Sequence, residues 1–218
     1  MDCIAHRGFA GRYPENTLGA VRAAAGHADL VEVDVRRSAD GEVVVVHDET
    51  VDRVTGATGA VREFTAEGLA ALDVLGSGER IPTLAAVCQA LPPGVGINVE
   101  LKERGLAADV AAVLAETDPN RALVSSFDAG ALREQRDAGG WPLAYLFEDG
   151  PEAGLDRARD LGCAAVHPHW RLVDGAFVAT AHEAGLAVNA WTVDDAASAR
   201  RARRAGVDGL IVDSPEFC

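Results

Sequence analysis

Short apolar runs recur eight times along the chain, and alanine-rich stretches of helical character lie between most of them. The runs fall at residues 3–6, 29–35, 97–101, 122–126, 143–147, 164–167, 186–191 and 208–212. The helical stretches fall at 16–26, 84–91, 107–116, 129–138, 155–161, 176–184 and 196–205. Glycine marks most boundaries, at Gly26, Gly139-Gly140, Gly162, Gly185 and Gly206. A strand–helix unit repeated eight times in 218 residues predicts an α/β chain closed as a (β/α)8 TIM barrel. A doubly wound open sheet is the competing architecture. It usually has fewer units, and no glycine-rich phosphate loop follows the first run here. The whole chain, 1–218, reads as one domain.

The interval between residues 35 and 97 is too long for one unit, so a small insertion is expected after strand two, at about 36–80. It opens with an arm, Val35 to Ala39, then Asp40-Gly41, then Glu42 to His47. Asp-Gly between extended runs is a signal for a two-residue hairpin. That register places Ala39 opposite Glu42 and Asp34 opposite His47. Residues 48–80 read as a polar, irregular excursion, and the second barrel helix starts near Pro82-Thr83.

Charge removes some function classes. Lys and Arg number 20 against 34 Asp and Glu, a net charge of −14. A general binder of nucleic acid or of an anionic membrane needs a basic face, so neither partner is expected. No apolar run reaches membrane-spanning length, and the N-terminus does not resemble a signal peptide. Stable membrane insertion is therefore not expected, and the chain reads as cytoplasmic. Cys3, Cys88, Cys163 and Cys218 are far apart with no C-x-x-C pair, which predicts neither a zinc site nor a disulfide framework.

Active sites of such barrels gather at the C-terminal ends of the strands. Those ends carry His6-Arg7-Gly8, Glu32 and Asp34, His47-Asp48 on the returning arm, Glu100 and Lys102, Trp191, and Asp213. Strand alternation puts Glu32 and Asp34 on one face, and Asn98, Glu100 and Lys102 on one face. Neighbouring parallel strands then bring Glu32, Asp34 and Glu100 together. Three carboxylates at one spot repel each other unless a cation lies between them, and oxygen ligands favour Mg²⁺ or Ca²⁺. Salt bridges to Lys102, Arg7 and Arg36 are the alternative, but two adjacent histidines favour the metal. His6 and His47 fit either an acid–base pair or metal ligands. Arg7 and Lys102 suit a phosphate group. Trp191 is either a stacking wall for a ligand or a plug in the barrel top. His167 and His169 either line the site mouth or cap a strand, and His27 and His182 read as surface residues.

Several segments, in order, carry a resemblance. They include His6-Arg7-Gly8, Pro14-Glu15-Asn16-Thr17, Glu32-Val33-Asp34-Val35, His47-Asp48, Ile81-Pro82-Thr83-Leu84, Glu100-Leu101-Lys102, Ser126-Phe127, Trp191-Thr192-Val193 and Gly206-Val207-Asp208-Gly209. The chain resembles the glycerophosphodiester phosphodiesterase family over nearly its whole length. That resemblance implies one divalent metal ion, Mg²⁺ or Ca²⁺, on Glu32, Asp34 and Glu100. It implies His6 and His47 as the acid–base pair, Arg7 and Lys102 on the phosphate, and Trp191 beside the glycerol. The implied reaction is hydrolysis of a small-molecule glycerophosphodiester to sn-glycerol 3-phosphate and an alcohol. Asp194 and the segment Val212-Asp213-Ser214-Pro215 depart from the family pattern without touching these positions. Two other readings compete. One is a different metal-dependent barrel enzyme acting on a phosphorylated substrate. The other is a non-catalytic phosphate or head-group binding protein, which the presence of both histidines argues against.

Lys102 is the one lysine in the chain, beside 19 arginines. An acidic, lysine-poor composition fits a protein kept soluble in concentrated salt, and it also fits a GC-rich coding sequence. Screening relieves self-repulsion in a chain with a charge of −14. The melting temperature is therefore expected to rise from low salt to molar KCl. A flat or falling curve would leave codon bias as the explanation.

Overall fold

The computed structural model describes residues 1–218. Its strands are β1 (Asp2–Ala5), β2 (Leu30–Arg37), β3 (Val43–Val45), β4 (Gly96–Leu101), β5 (Ala122–Ser126), β6 (Leu143–Phe147), β7 (Ala165–Pro168), β8 (Ala187–Val193) and β9 (Gly209–Val212). Its helices are α1 (Leu18–Ala24), α2 (Ala66–Ala70), α3 (Leu84–Ala90), α4 (Ala107–Thr117), α5 (Ala129–Ala138), α6 (Pro151–Leu161), α7 (Gly175–Glu183) and α8 (Ala196–Ala205). All strands except β3 are parallel and run β1-β9-β8-β7-β6-β5-β4-β2, and β1 pairs with β2 to close the barrel. The expected (β/α)8 barrel is the observed one. Its eighth unit, however, lacks a full helix: only a 3-10 turn, Pro215–Phe217, follows β9.

Side-chain caps fix the helix starts. Thr17, Thr83, Asp128, Asp174 and Asp195 each accept a backbone N–H from the first turn of the helix they precede. Gly162 and Gly206 end α6 and α8 in the left-handed conformation. Strand alternation then sorts the faces. Val31, Val33 and Val35, with Ile97, Val99 and Leu101, point outward into the main apolar core under the helices. Each such side chain contributes about 1.5–3 kcal/mol when fully buried. The opposite face fills the barrel, with Glu32, Asp34, Asn98, Glu100, Ser125, His167 and Asn189 all buried there. Gly209 makes room for this polar layer, because a Cβ there would lie 2.4 Å from Asn189 Oδ1.

The arm departs from its expected register. Val35 pairs with Val45, and Arg37 with Val43. Asp34 therefore lies opposite Val46, whose N–H it accepts at 3.0 Å, and not opposite His47. The turn spans three residues, Ala39-Asp40-Gly41. Gly41 takes φ +93°, and Ser38 Oγ donates to Asp40 and receives the N–H of Glu42. A three-residue loop with glycine in the left-handed position competes with the two-residue turn for the same Asp-Gly signal. The segment after it is also more ordered than expected. Val44, Val46, Val51, Val54, Val61, Leu69, Val74 and Ile81 form a second buried core beside the barrel. Their spacing follows neither helical nor strand periodicity.

Cysteine spacing also misleads. Cys3 and Cys218 form a disulfide, with Cα atoms 5.1 Å apart across 215 residues of sequence. β1 and β9 are neighbours in the closed barrel, so the two ends of the chain meet at that seam. Cys88 and Cys163 remain free. No helix is long and apolar enough to cross a membrane. The unreduced, denatured chain should titrate two thiols, and four after reduction. Cys218→Ser should lower the melting temperature, because opening so long a loop removes up to about 5 kcal/mol in the chain-entropy limit. Four reactive thiols before reduction would refute the cross-link.

Candidate active site

The parallel register sets Asp34 beside Glu100 and Glu32 beside Asn98 at the top of the barrel. Glu32, Asp34 and Glu100 can each place a carboxylate oxygen within 4.8 Å of the others, and all are buried. The first strand supplies part of their support. After β1 the backbone turns through Arg7, Gly8 and Phe9, each with positive φ. This left-handed turn aims the Arg7 N–H at Glu32 Oε2, 2.8 Å away. Gly8 is required there, since a Cβ would lie 2.8 Å from that of Ala20 and 2.9 Å from its backbone carbon. The Arg7 guanidinium reaches Asp34 at 3.1 Å, and the Lys102 ammonium reaches Glu100 at 2.6 Å and Asp34 at 3.5 Å. Asn16 clamps Asp34, donating Nδ2–H to its carboxylate and accepting its backbone N–H.

Two fixed cations do not satisfy three buried anions. Burial, then the charge of Asp34, pushes Glu32 up to about 8. Glu100 is raised by the same two causes. Burial works the same way on Asp34, but Arg7 and Lys102 outweigh it and hold this carboxyl below its usual value. Glu32 Oε1 is buried without a hydrogen-bond partner, and Asp34 Oδ1 makes no hydrogen bond and has only the Lys102 ammonium 3.5 Å away. Carboxyl oxygens left without hydrogen bonds at a converging point fit a hard divalent cation, whose charge would favour their ionised forms.

His6 and His47 face the same cleft as Glu32, Glu100, Arg7 and Lys102. Each imidazole is held from behind by an aspartate. His6 Nδ1–H donates to Asp213 at 2.6 Å, and His47 Nδ1–H donates to Asp48 at 2.6 Å. Both Nε2 atoms are thereby left as the working nitrogens. Burial depresses His47. Burial acts likewise on His6, but the bond to Asp213 and the charge of Glu32 reverse the shift and raise it.

Trp191 closes the top of the barrel and also lines the cleft. Its ring packs on Ile4, Leu30 and Ile211 inside the barrel, borders the cleft, and its Nε1–H donates to the carbonyl of His167 at 2.7 Å. Phe127 stands edge-on to it, with ring centres 5.2 Å apart. His167 lies in the barrel interior, accepts from Asn189 Nδ2, and is pushed by burial down to about 3, so it stays neutral. His169 caps a 3-10 turn and packs on Trp170 and Trp191. Asn16, Asp48, Phe127 and Asp213 are the site residues to which the sequence alone assigns no role. Three of them sit in the very segments that carry the resemblance.

Residues 6–217 match the Glycerophosphoryl diester phosphodiesterase family. The chain is 34% identical to a glycerophosphodiester phosphodiesterase of Caldanaerobacter subterraneus subsp. tengcongensis, over 98% of this chain and 94% of that one. Among solved structures, it superposes on an Oleispira antarctica phosphodiesterase, determined with its product sn-glycerol-3-phosphate, with a TM-score of 0.90. The identity is 31%, over 99% of this chain and 94% of that one. It also superposes on the glycerophosphodiester phosphodiesterase of Thermotoga maritima with a TM-score of 0.84 and 31% identity, over 99% and 95% of the two chains.

The carboxylate cluster generates a binding prediction. Chelated protein should bind Mg²⁺, Ca²⁺ or Mn²⁺ at one site, with a rise in melting temperature that follows ion concentration. Glu100→Gln should weaken that rise. Identical melting curves with and without these ions would remove the metal reading.

Proposed function

From the premise that this chain belongs to the glycerophosphoryl diester phosphodiesterase family, we propose that it hydrolyses glycerophosphodiesters by histidine acid–base catalysis beside a divalent metal ion. It is a phosphoric diester hydrolase. The observation that carries the mechanistic reading is the convergence of two aspartate-backed imidazoles and a three-carboxylate cluster on one cleft.

A phosphodiester is an anion with a poor leaving group, so charge must be neutralised and the departing alkoxide protonated. Glu32, Asp34 and Glu100 would hold the ion, which supplies positive charge that polarises a phosphoryl oxygen. Arg7 and Lys102 add fixed positive charge beside it. One imidazole removes the proton of the attacking oxygen, from water or from the glycerol 2-hydroxyl. The other donates its Nε2 proton to the alcohol oxygen as the bond from phosphorus breaks. When water attacks, the products are directly sn-glycerol 3-phosphate and the free alcohol; when the 2-hydroxyl attacks, the alcohol leaves behind a cyclic phosphate, which a water molecule then opens to sn-glycerol 3-phosphate. Trp191 and Phe127 give the cleft an apolar wall against which the glycerol carbons rest. Residues 1–218 act in this reading as one domain, with the arm and its small core bringing His47 to the barrel mouth.

The test is turnover of glycerophosphocholine with and without a divalent ion, in the wild type and in two variants. His6→Ala and His47→Ala should each reduce kcat on the order of 100-fold or more. Binding of sn-glycerol 3-phosphate should change far less. Near wild-type turnover by either variant takes that histidine out of the pair, and full activity after chelation takes the metal out of the mechanism.

A further inference from the structure

The insertion contributes more to the site than His47. Its residue Arg53 sits in a turn anchored on both sides by the buried Val51 and Val54. From there its guanidinium forks over two carboxylates. Nε donates to Asp48 Oδ2 at 2.6 Å, while Nη1 and Nη2 donate to the two oxygens of Glu15 at 2.7 and 2.8 Å. Glu15 in turn accepts from Arg7 Nη1 at 3.0 Å, and Arg7 reaches Asp34. On the other side, Asp48 holds His47 Nδ1. Charges of alternating sign thus run without a gap from Asp34 through Arg7, Glu15, Arg53 and Asp48 to His47. His6 has no such chain behind it: Asp213 makes no ion pair with an arginine or lysine.

We propose that Arg53 is a positioning residue for His47: by clamping Asp48 to Glu15 it fixes the imidazole relative to Arg7 and the carboxylate cluster. The inference rests on the reading of His47 as a catalytic group. Asp48 is adjacent to His47 in sequence and lies on an arm outside the barrel, so its orientation is not set by the barrel's hydrogen bonds. A planar forked guanidinium with charged acceptors on both prongs defines a direction that a single ammonium cannot. Glu15 is the fixed end, because it stands on the loop between β1 and α1 and its side chain is largely buried. Asp48 is held down to about 2 against its own burial by Arg53 and His47, so it stays an acceptor throughout the working pH range.

The experiment is steady-state turnover of glycerophosphocholine by Arg53→Ala and Arg53→Lys, each also combined with His47→Ala. Arg53→Ala should lose about 10-fold or more in kcat, the effect of about 1.4 kcal/mol of misplacement, with little change in KM. Sub-denaturing guanidinium chloride should restore part of that loss, and KCl of equal ionic strength should not. Arg53→Lys, which keeps the cation and most of the packing, should fall between the wild type and Arg53→Ala, and it carries the test if Arg53→Ala fails to fold. Within the His47→Ala background, either change should have almost no further effect. Three results would overturn the inference: wild-type kcat in the folded single variants, an undiminished loss in the His47→Ala background, or a loss confined to KM. Wild-type turnover by His47→Ala alone would overturn the histidine assignment and this inference with it. His47→Ala inactive beside a fully active Arg53→Ala overturns this inference only.

Discussion

The crowding of Glu32, Asp34 and Glu100 at the end of two parallel strands is the constraint around which this molecule is arranged. Parallel pairing leaves no choice of neighbour: once β2 and β4 are in register, Asp34 must lie beside Glu100. Like charges in a desolvated place are strongly unfavourable, and the surroundings read as a set of offsets. Arg7 is bent into the site by a left-handed turn, Lys102 folds back on Glu100, and Asn16 ties Asp34 at two points. These offsets are incomplete, since Glu32 Oε1 has no hydrogen-bond partner and Asp34 Oδ1 has only the Lys102 ammonium 3.5 Å away. A cluster that the fold could have neutralised fully is instead left short of positive charge, which is the condition for holding a cation.

The same logic explains the barrel interior beneath the site. A wholly apolar filling would be simpler to stabilise, yet a polar layer of Asn98, Ser125, His167 and Asn189 lies there. Asn98 donates to Ser125, and Asn189 to His167. Asn98 and Ser125 lie beside Glu32 and Glu100 in the strand register, so these neutral dipoles adjoin the charged cluster. Apolar residues return on either side of it, with Ile4, Leu30 and Ile211 in one group and Leu123, Ala144 and Ala165 in another. Gly209 pays the packing cost of this arrangement by giving up its own side chain to Asn189.

Much of this was legible in the sequence, for a definite reason. The barrel strands are short apolar runs at nearly regular intervals, and a period of two tells which residues of Glu32-Val33-Asp34 share a face. Local pattern and global fold agree there. What stayed hidden depends on residues distant in sequence or on a choice between near-equal local geometries. Asp213 meets His6 across 207 residues, and Glu15 meets Arg53 across 38, and no spacing rule announces either. Cys3 and Cys218 meet only because the barrel closes. The arm shows the second kind of limit. Asp40-Gly41 serves a two-residue and a three-residue turn equally well, and the difference of one residue moved Val46, not His47, opposite Asp34. His47 still reaches the cleft, because it lies beyond the paired part of the arm.

An acid–base pair has to satisfy a requirement that two identical histidines cannot. At one pH, one imidazole must carry a proton while the other lacks it. Here the two rings begin alike, each donating Nδ1–H to an aspartate at 2.6 Å. They differ in the charges that face each ring. At His47, burial together with the positive charges of Arg7 and Lys102 outweighs Asp34 and Asp48 and depresses the ring. At His6 the bond to Asp213 and the charge of Glu32 outweigh burial and raise the ring. A cation among the carboxylates would lower both rings by acting on the side they share. The aspartate bond on the far side of each ring would remain in place.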